Sequence, residues 1–217
     1  MSKPLPTTLR THFTALRVLL VLTVILGVAY PLLVTGISQV AFSDKANGSP
    51  VKSDGKEVGS SLIGQSFDLP KKAPSGSTTG DAPDEAAQPD PKWFQPRPSA
   101  AGTGYDASSS AASNQGPNSE DLLKAVNERR AAVAAFDGVD PASVPADALT
   151  ASGSGLDPHI SVAYAKEQVG RVAKNRDLPV ETVNKLVEKY TEGRSLGFLG
   201  DEGVNVVLLN KALSEQK

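Results

Sequence analysis

Ser, Gly, Asp, Pro and His crowd together at residues 149–161, LTASGSGLDPHIS, ahead of a helical pattern. Such a run suits a phosphate cradle, a hydrolase site, or only the entrance to a helix. A cradle offers backbone N–H groups at a helix N-terminus. Here the Lys and hydroxyl pair of a P-loop is missing, and Pro158 stands where the third glycine should follow Gly153 and Gly155 in G-x-G-x-x-G. Asp157 would also set a carboxylate where an anion should sit. A nucleophile elbow needs glycines two residues either side of Ser. Ser154 has Ser152 and Leu156 at those positions, and Ser152 has Thr150 and Ser154. His159 has only His12 as a fellow histidine, and the chain has no Cys, so multi-His and thiolate metal sites are excluded.

The structural reading assigns Asp157 as a helix cap, Pro158 as the first helical residue, and Gly153 and Gly155 to a tight loop. It leaves two serines and a histidine unexplained, and an interaction surface accounts for them. Ser152, Gly153, Ser154, Gly155, Asp157 and His159 are therefore the candidate ligand- or partner-binding residues, with no catalytic residue and no metal site assigned. Arg97 in RPSA and Arg194 in GRSLGFLG read as loop-fixing hydrogen bonders.

The elements that would position these residues are short. After the run, Val162, Ala165, Val169 and Val172 recur at helical spacing through to about Arg176. In LPVETVNKLVEKYTEG, Pro179 opens a second helix, Val180, Val183, Val187 and Tyr190 line one face, and Gly193 closes it. In GVNVVLLNKAL, the alternation of Val204, Val206 and Leu208 predicts a strand before a short C-terminal helix. Upstream, Ser119 opens a helix that Gly138 stops. Asp54-Gly55 between Val51 and Val58 predicts a hairpin. Trp93 and Phe94 read as packing anchors. Residues 70–92 hold five prolines and no large apolar side chain before Trp93, which predicts a flexible Pro/Ser-rich insertion.

Residues 18–37, VLLVLTVILGVAYPLLVTGI, carry no charge. At about 1.5 Å per residue they span roughly the 30 Å core of a bilayer. A cleavable signal sequence has a shorter apolar region and a small-residue site that GISQVAF does not match. Lys3, Arg10 and Arg17 precede the run with no acid, which keeps the N-terminus in the cytoplasm. The expected organisation is a cytoplasmic tail at 1–17, a membrane helix at 18–40 and an outer domain at 41–217, in the cell membrane with a single pass. Thr23, Gly27, Pro31 and Thr35 form a stripe of small or helix-perturbing residues suited to helix packing, with a kink expected at Pro31.

The chain of 217 residues has a net charge of −2, and the 200 residues after Arg17 hold 19 basic and 24 acidic groups. An acidic body lacks the basic footprint that nucleic acid requires. The fold class expected is mixed α/β: one N-terminal transmembrane helix plus an α+β extracytoplasmic domain.

VPADALTASGSGLDPHIS, QVGRVAKNR and GFLGDEGVNVVLLNKAL resemble the C subunit family of the bacterial Kdp potassium-transporting ATPase. YPLLVTGISQVAF, GSSLIGQSF, WFQPRPSA and SAASNQGPNSEDL fit the same family in order. Ala111-Ala112 stand where the family commonly has Gly-Gly, and Val162 where Pro commonly follows His-Ile-Ser. The resemblance implies an accessory subunit without an active site of its own. Its partners would be the bilayer, a potassium-pathway subunit and an ATP-hydrolysing subunit, with ATP entering only through the complex. Two roles are implied: supporting assembly while capping the external side of the potassium pathway, or raising the ATP affinity of the hydrolysing subunit. Because ATP is cytoplasmic and the charged flanks place the domain outside, the first is the expectation. A membrane-anchored ligand-binding domain and an anchored enzyme are the remaining readings.

Overall fold

The computed structural model describes residues 6–70 and 88–216. The chain divides into two compact units, Met1–Pro50 and Val51–Lys217.

The first unit is dominated by one long apolar helix. α1 (Thr7–Val24) passes through a π-helical segment (Ile25–Ala29) into α2 (Tyr30–Ala41), and a single turn, α3 (Ser43–Ala46), follows. Thr7–Ala41 is long and apolar enough to cross a membrane, and 35 residues of helix reach about 50 Å. The helix thus begins well before residue 18. Pro31 has no N–H to donate, and the π segment lies directly ahead of it, with the Tyr30 N–H bonded to the Ile25 carbonyl. None of the side chains on α1 or α2 is buried.

The second unit opens with the expected hairpin, β1 (Pro50–Ser53) and β2 (Lys56–Ser60). Asp54 and Gly55 take φ of 50° and 77°, the left-handed pair a tight hairpin turn needs. The flexible insertion expected at 70–92 falls mainly on residues 71–87, outside the described residues. Its far end is tied down: Leu69 N–H donates to Gln88 O, and Asp90 N–H to Phe67 O. α4 (Glu120–Asp137) starts where the Ser119 hydroxyl accepts from the Leu122 N–H and ends at Gly138.

The core forms where β3 (His159–Ile160), α5 (Val162–Asn175), α6 (Val180–Lys189), β4 (Thr191–Glu192), β5 (Gly203–Asn205) and α7 (Val206–Ser214) come together. β5 lies between β3 and β4, antiparallel to both, with Ile160 and Thr191 each opposite Val204. Val169, Val172, Val183, Val187, Val204, Leu209 and Leu213 fill the interior, and Phe94 is fully buried among them. The mixed helix and sheet class is as expected.

Three local expectations are corrected. Asp157 does not cap a helix and Pro158 does not begin one. His159 and Ile160 are drawn into the sheet by β5, and α5 starts four residues later, with Ser161 as its cap and Val162 as its first residue. α6 ends at Lys189 rather than Gly193, because Thr191 and Glu192 pair with β5, and Leu186 rather than the exposed Val180 joins its buried face. The alternation of Val204, Val206 and Leu208 stops at Asn205, whose carbonyl side-chain oxygen accepts from the Leu208 N–H and caps α7.

Buried amides fix the extended segment between the insertion and the loops. Asn210 on α7 accepts from the Phe94 N–H and donates to the Phe94 carbonyl, both at 2.9 Å. Gln168 on α5 does the same for Gln95, accepting at 2.6 Å and donating at 3.0 Å. Two consecutive residues thereby receive strand-like pairing from side chains, which satisfies backbone groups that burial would otherwise leave bare.

Candidate functional site

Loops far apart in sequence meet around residues 150–161. The Ser154 carbonyl accepts from the Ala111 N–H at 3.0 Å and the Ser110 hydroxyl at 2.9 Å. The Leu156 carbonyl accepts from the Gly64 N–H, and the Gly155 carbonyl from the Ser99 hydroxyl at 2.6 Å. Ser99 Oγ in turn accepts from the N–H groups of Ala101 and Tyr105, while the Tyr105 hydroxyl donates to the Arg97 carbonyl. Pro158 O accepts from the Val206 N–H, which pins the loop to the start of α7.

Gly155 is fixed by this crowding. Its φ is +68°, and a Cβ there would lie 2.6 Å from Ala111 O and 2.8 Å from Ala101 N. Ser152 is buried, whereas Gly153 and Ser154 are exposed. Ser154 Oγ accepts from the Leu156 N–H, a local turn contact. Ser152, Gly153, Ser154, Gly155 and Asp157 thus share one loop and His159 opens β3 just beyond it, but no hydrogen bond joins either serine to His159 among the described residues.

The charged side chains form a chain of their own. Arg97 Nη1 lies 3.3 Å from Asp157 Oδ2, and Arg97 Nη2 donates to the Thr150 carbonyl. Asp157 Oδ1 accepts from the His159 N–H at 2.9 Å and stands 3.4 Å from its Nδ1. The other ring nitrogen, Nε2, faces Glu192 Oε2 at 3.5 Å. Burial works against the Asp157 charge, yet the His159 ring and backbone hydrogen bonds, with Arg97, hold its carboxyl below the ordinary range. His159 is raised above its ordinary value by the Asp157 hydrogen bond first, against partial burial, with Glu192 adding to it. When protonated, the half-buried His159 ring bridges two carboxylates and forms an electrostatic clasp to β4. Arg97 and, more weakly, Arg194 act as loop fixers, the latter exposed beside Asp201 at 3.3 Å.

Asp147 was not singled out in the sequence, where it stands inside VPADALTASGSGLDPHIS and was assigned no role of its own. Its two oxygens accept from the Ser161 N–H at 2.7 Å and the Ser161 hydroxyl at 2.8 Å, which orients the cap of α5. Arg171 was likewise not singled out; it stands within QVGRVAKNR on the helix expected after residue 161. In the structure its Nε meets Asp137, its Nη1 donates to the carbonyls of Pro91 and Trp93, and its Nη2 to Gln168.

On the apolar helix, Thr23, Gly27, Pro31 and Thr35 are all exposed. Thr23 Cγ2 would be 3.9 Å from a Cβ at Gly27, so these two share a face. Gly27 lies inside the π segment, where the turn is wider than in an α-helix.

Comparison with known proteins gives the family. The family model described as KdpC, the K+-transporting ATPase c chain, matches residues 12–215. A potassium-transporting ATPase KdpC subunit from Streptomyces avermitilis is 48% identical, with 99% of this chain and 98% of the relative covered. The subunit of that name from Kineococcus radiotolerans is 51% identical over 98% of this chain and 97% of its own. One from Mycobacterium tuberculosis is 47% identical over 92% and 95%. With nearly the full length matched on both sides, this chain belongs to the KdpC family, the c chain of K+-transporting ATPases.

Proposed function

We propose that this chain is a non-catalytic accessory subunit that supports assembly of the potassium-transporting complex and caps the external side of its potassium pathway. The Thr7–Ala41 helix anchors it. Arg10 and Arg17 lie at the N-terminal end of that helix, and the first acid of the chain is Asp44, so the N-terminus stays inside and residues 51–217 lie outside.

The loop lattice around Gly155 carries this reading. Four segments are locked by hydrogen bonds into a surface that has little ordering left to lose on binding, the condition for a docking platform. The N–H groups of Gly155, Leu156, His159 and Ser161 are already bonded within the chain. A triphosphate approaching them would meet Asp157 and Glu192. Both observations favour capping over ATP binding at this loop, and ATP-affinity enhancement would have to act through the membrane helix.

A second reading, a ligand-binding outer domain, has one observation in its favour. A cavity of about 750 Å³ is lined by Tyr105, Arg129, Phe136 and Tyr164, large enough for a small molecule. One experiment separates the readings. The chain, tagged at its C-terminus, is co-expressed with its companion subunits, solubilised in mild detergent and captured. Assembly predicts that the potassium-pathway and ATP-hydrolysing subunits follow it. Recovery as a lone monomer contradicts assembly and favours the ligand-binding domain.

A further inference from the structure

The segment between β4 and β5 is a narrow finger. Ser195 and Leu199 exchange backbone hydrogen bonds, each at 2.9 Å, and hold Leu196, Gly197 and Phe198 out at its tip. Leu196 is 83% exposed and Phe198 69%, with Leu199 half-exposed beside them. Leu196 also has φ +54°. A bulky side chain is disfavoured in that region, where folding alone would select Gly or Asn. The tip therefore holds apolar groups in a costly conformation without burying them.

At the base of the finger lies a recess of about 430 Å³, into which Ser195 and Leu199 also project. Its carboxylates are Asp147, Asp157, Glu192, Asp201 and Glu202; Arg97 and His159 oppose them from its wall and Arg194 pairs with Asp201 at 3.3 Å, which leaves the acids in excess. We infer that finger and recess form one docking surface for a companion subunit of the same complex. That subunit would present an apolar pocket for Leu196 and Phe198, with a Lys or Arg beside it to enter the recess. The inference rests on the assembly reading and names the surface that reading needs.

Charge selects this occupant. An anionic lipid surface would repel the recess as the tip approached. Two copies meeting tip to tip would bring like recesses together. A protein pocket with a basic rim satisfies both parts: apolar anchors seated in a pocket supply affinity, and opposite charge sets the register.

The test uses the whole complex. A photo-reactive aromatic residue replaces Phe198, and the complex is irradiated in membranes. A cross-link to one companion subunit is expected, whereas a cross-link only to lipid or to a second copy overturns the inference. In parallel, Leu196→Ser with Phe198→Ser should lower retention of companion subunits by at least roughly tenfold, at unchanged thermal stability. Glu202→Lys should weaken retention in the same direction. Full retention by the double variant overturns the finger alone; a parent chain that retains no companion overturns the assembly reading as well.

Discussion

Two Arg–Asp pairs in this domain use the same chemistry to opposite ends. Arg171 and Asp137 join α5 to the end of α4 with side chains only 4% and 1% exposed, while Arg97 and Asp157 lie at the loop surface at 24% and 31%. For Asp137, burial dominates and pushes the carboxyl up despite Arg171. For Asp157, burial is outweighed, and the carboxyl is held down by His159 and Arg97. A buried pair is a structural commitment, because breaking it strands a charge. A half-exposed pair is cheap to form and to open, which suits the docking surface proposed for this loop.

The largest expected effect comes from breaking the first pair. Arg171→Ala should cost about 3–5 kcal/mol in chemical denaturation, since it leaves Asp137 buried without its cation. Arg97→Ala should cost no more than about 1 kcal/mol. Equal losses in the two variants would erase the distinction.

Next is the amide clamp that holds the segment between these pairs. Asn210→Leu leaves the Phe94 N–H and C=O without partners and should lose about 2–3 kcal/mol. A loss below about 0.5 kcal/mol would mean that the clamp is incidental.

The smallest effect is electrostatic and depends on pH. His159 is raised in the folded state, so its contribution is complete below the ordinary histidine value and is lost as pH rises through the folded one. Glu167 on α5, pushed up to about 7 by burial and by Asp137 and Asp147, works in the same direction. Its carboxyl ionises only at a cost to the fold, which grows between the ordinary glutamate range and about pH 7. Melting temperature should therefore fall from pH 6 to pH 8. His159→Gln should remove part of that slope and Glu167→Gln most of the remainder. A slope unchanged in both would refute the assignment.

Much of this was legible in the residues. Asp54-Gly55 marked the hairpin, Ser119 and Gly138 marked α4, and Trp93 and Phe94 were read as packing anchors, of which Phe94 is fully buried and Trp93 packs partly buried against the core. The failures share a cause. Asp157-Pro158 carries a local helix-start signal, but β5 captures His159 and Ile160, and that pairing joins residues more than forty positions apart. The same partner ends α6 early by taking Thr191 and Glu192. Gln168, Asn210 and Asp147 lie in segments that carried the family resemblance, and their roles stayed hidden, since each acts on backbone brought near only by the fold. The crowding of Ser, Gly, Asp and His was read as a partner-facing loop. The lattice on Gly155 and the His159 clasp supply the physical basis for proposing it.

The central claim is that residues 51–217 lie outside the membrane, where a companion subunit can be met. The absence of cysteine makes a direct measurement simple. Lys185 lies on the exposed face of α6, so Lys185→Cys supplies a single thiol. Intact cells are treated with a membrane-impermeant maleimide. Labelling without permeabilisation is the predicted result; labelling only after the membrane is opened would place the domain in the cytoplasm and contradict the account.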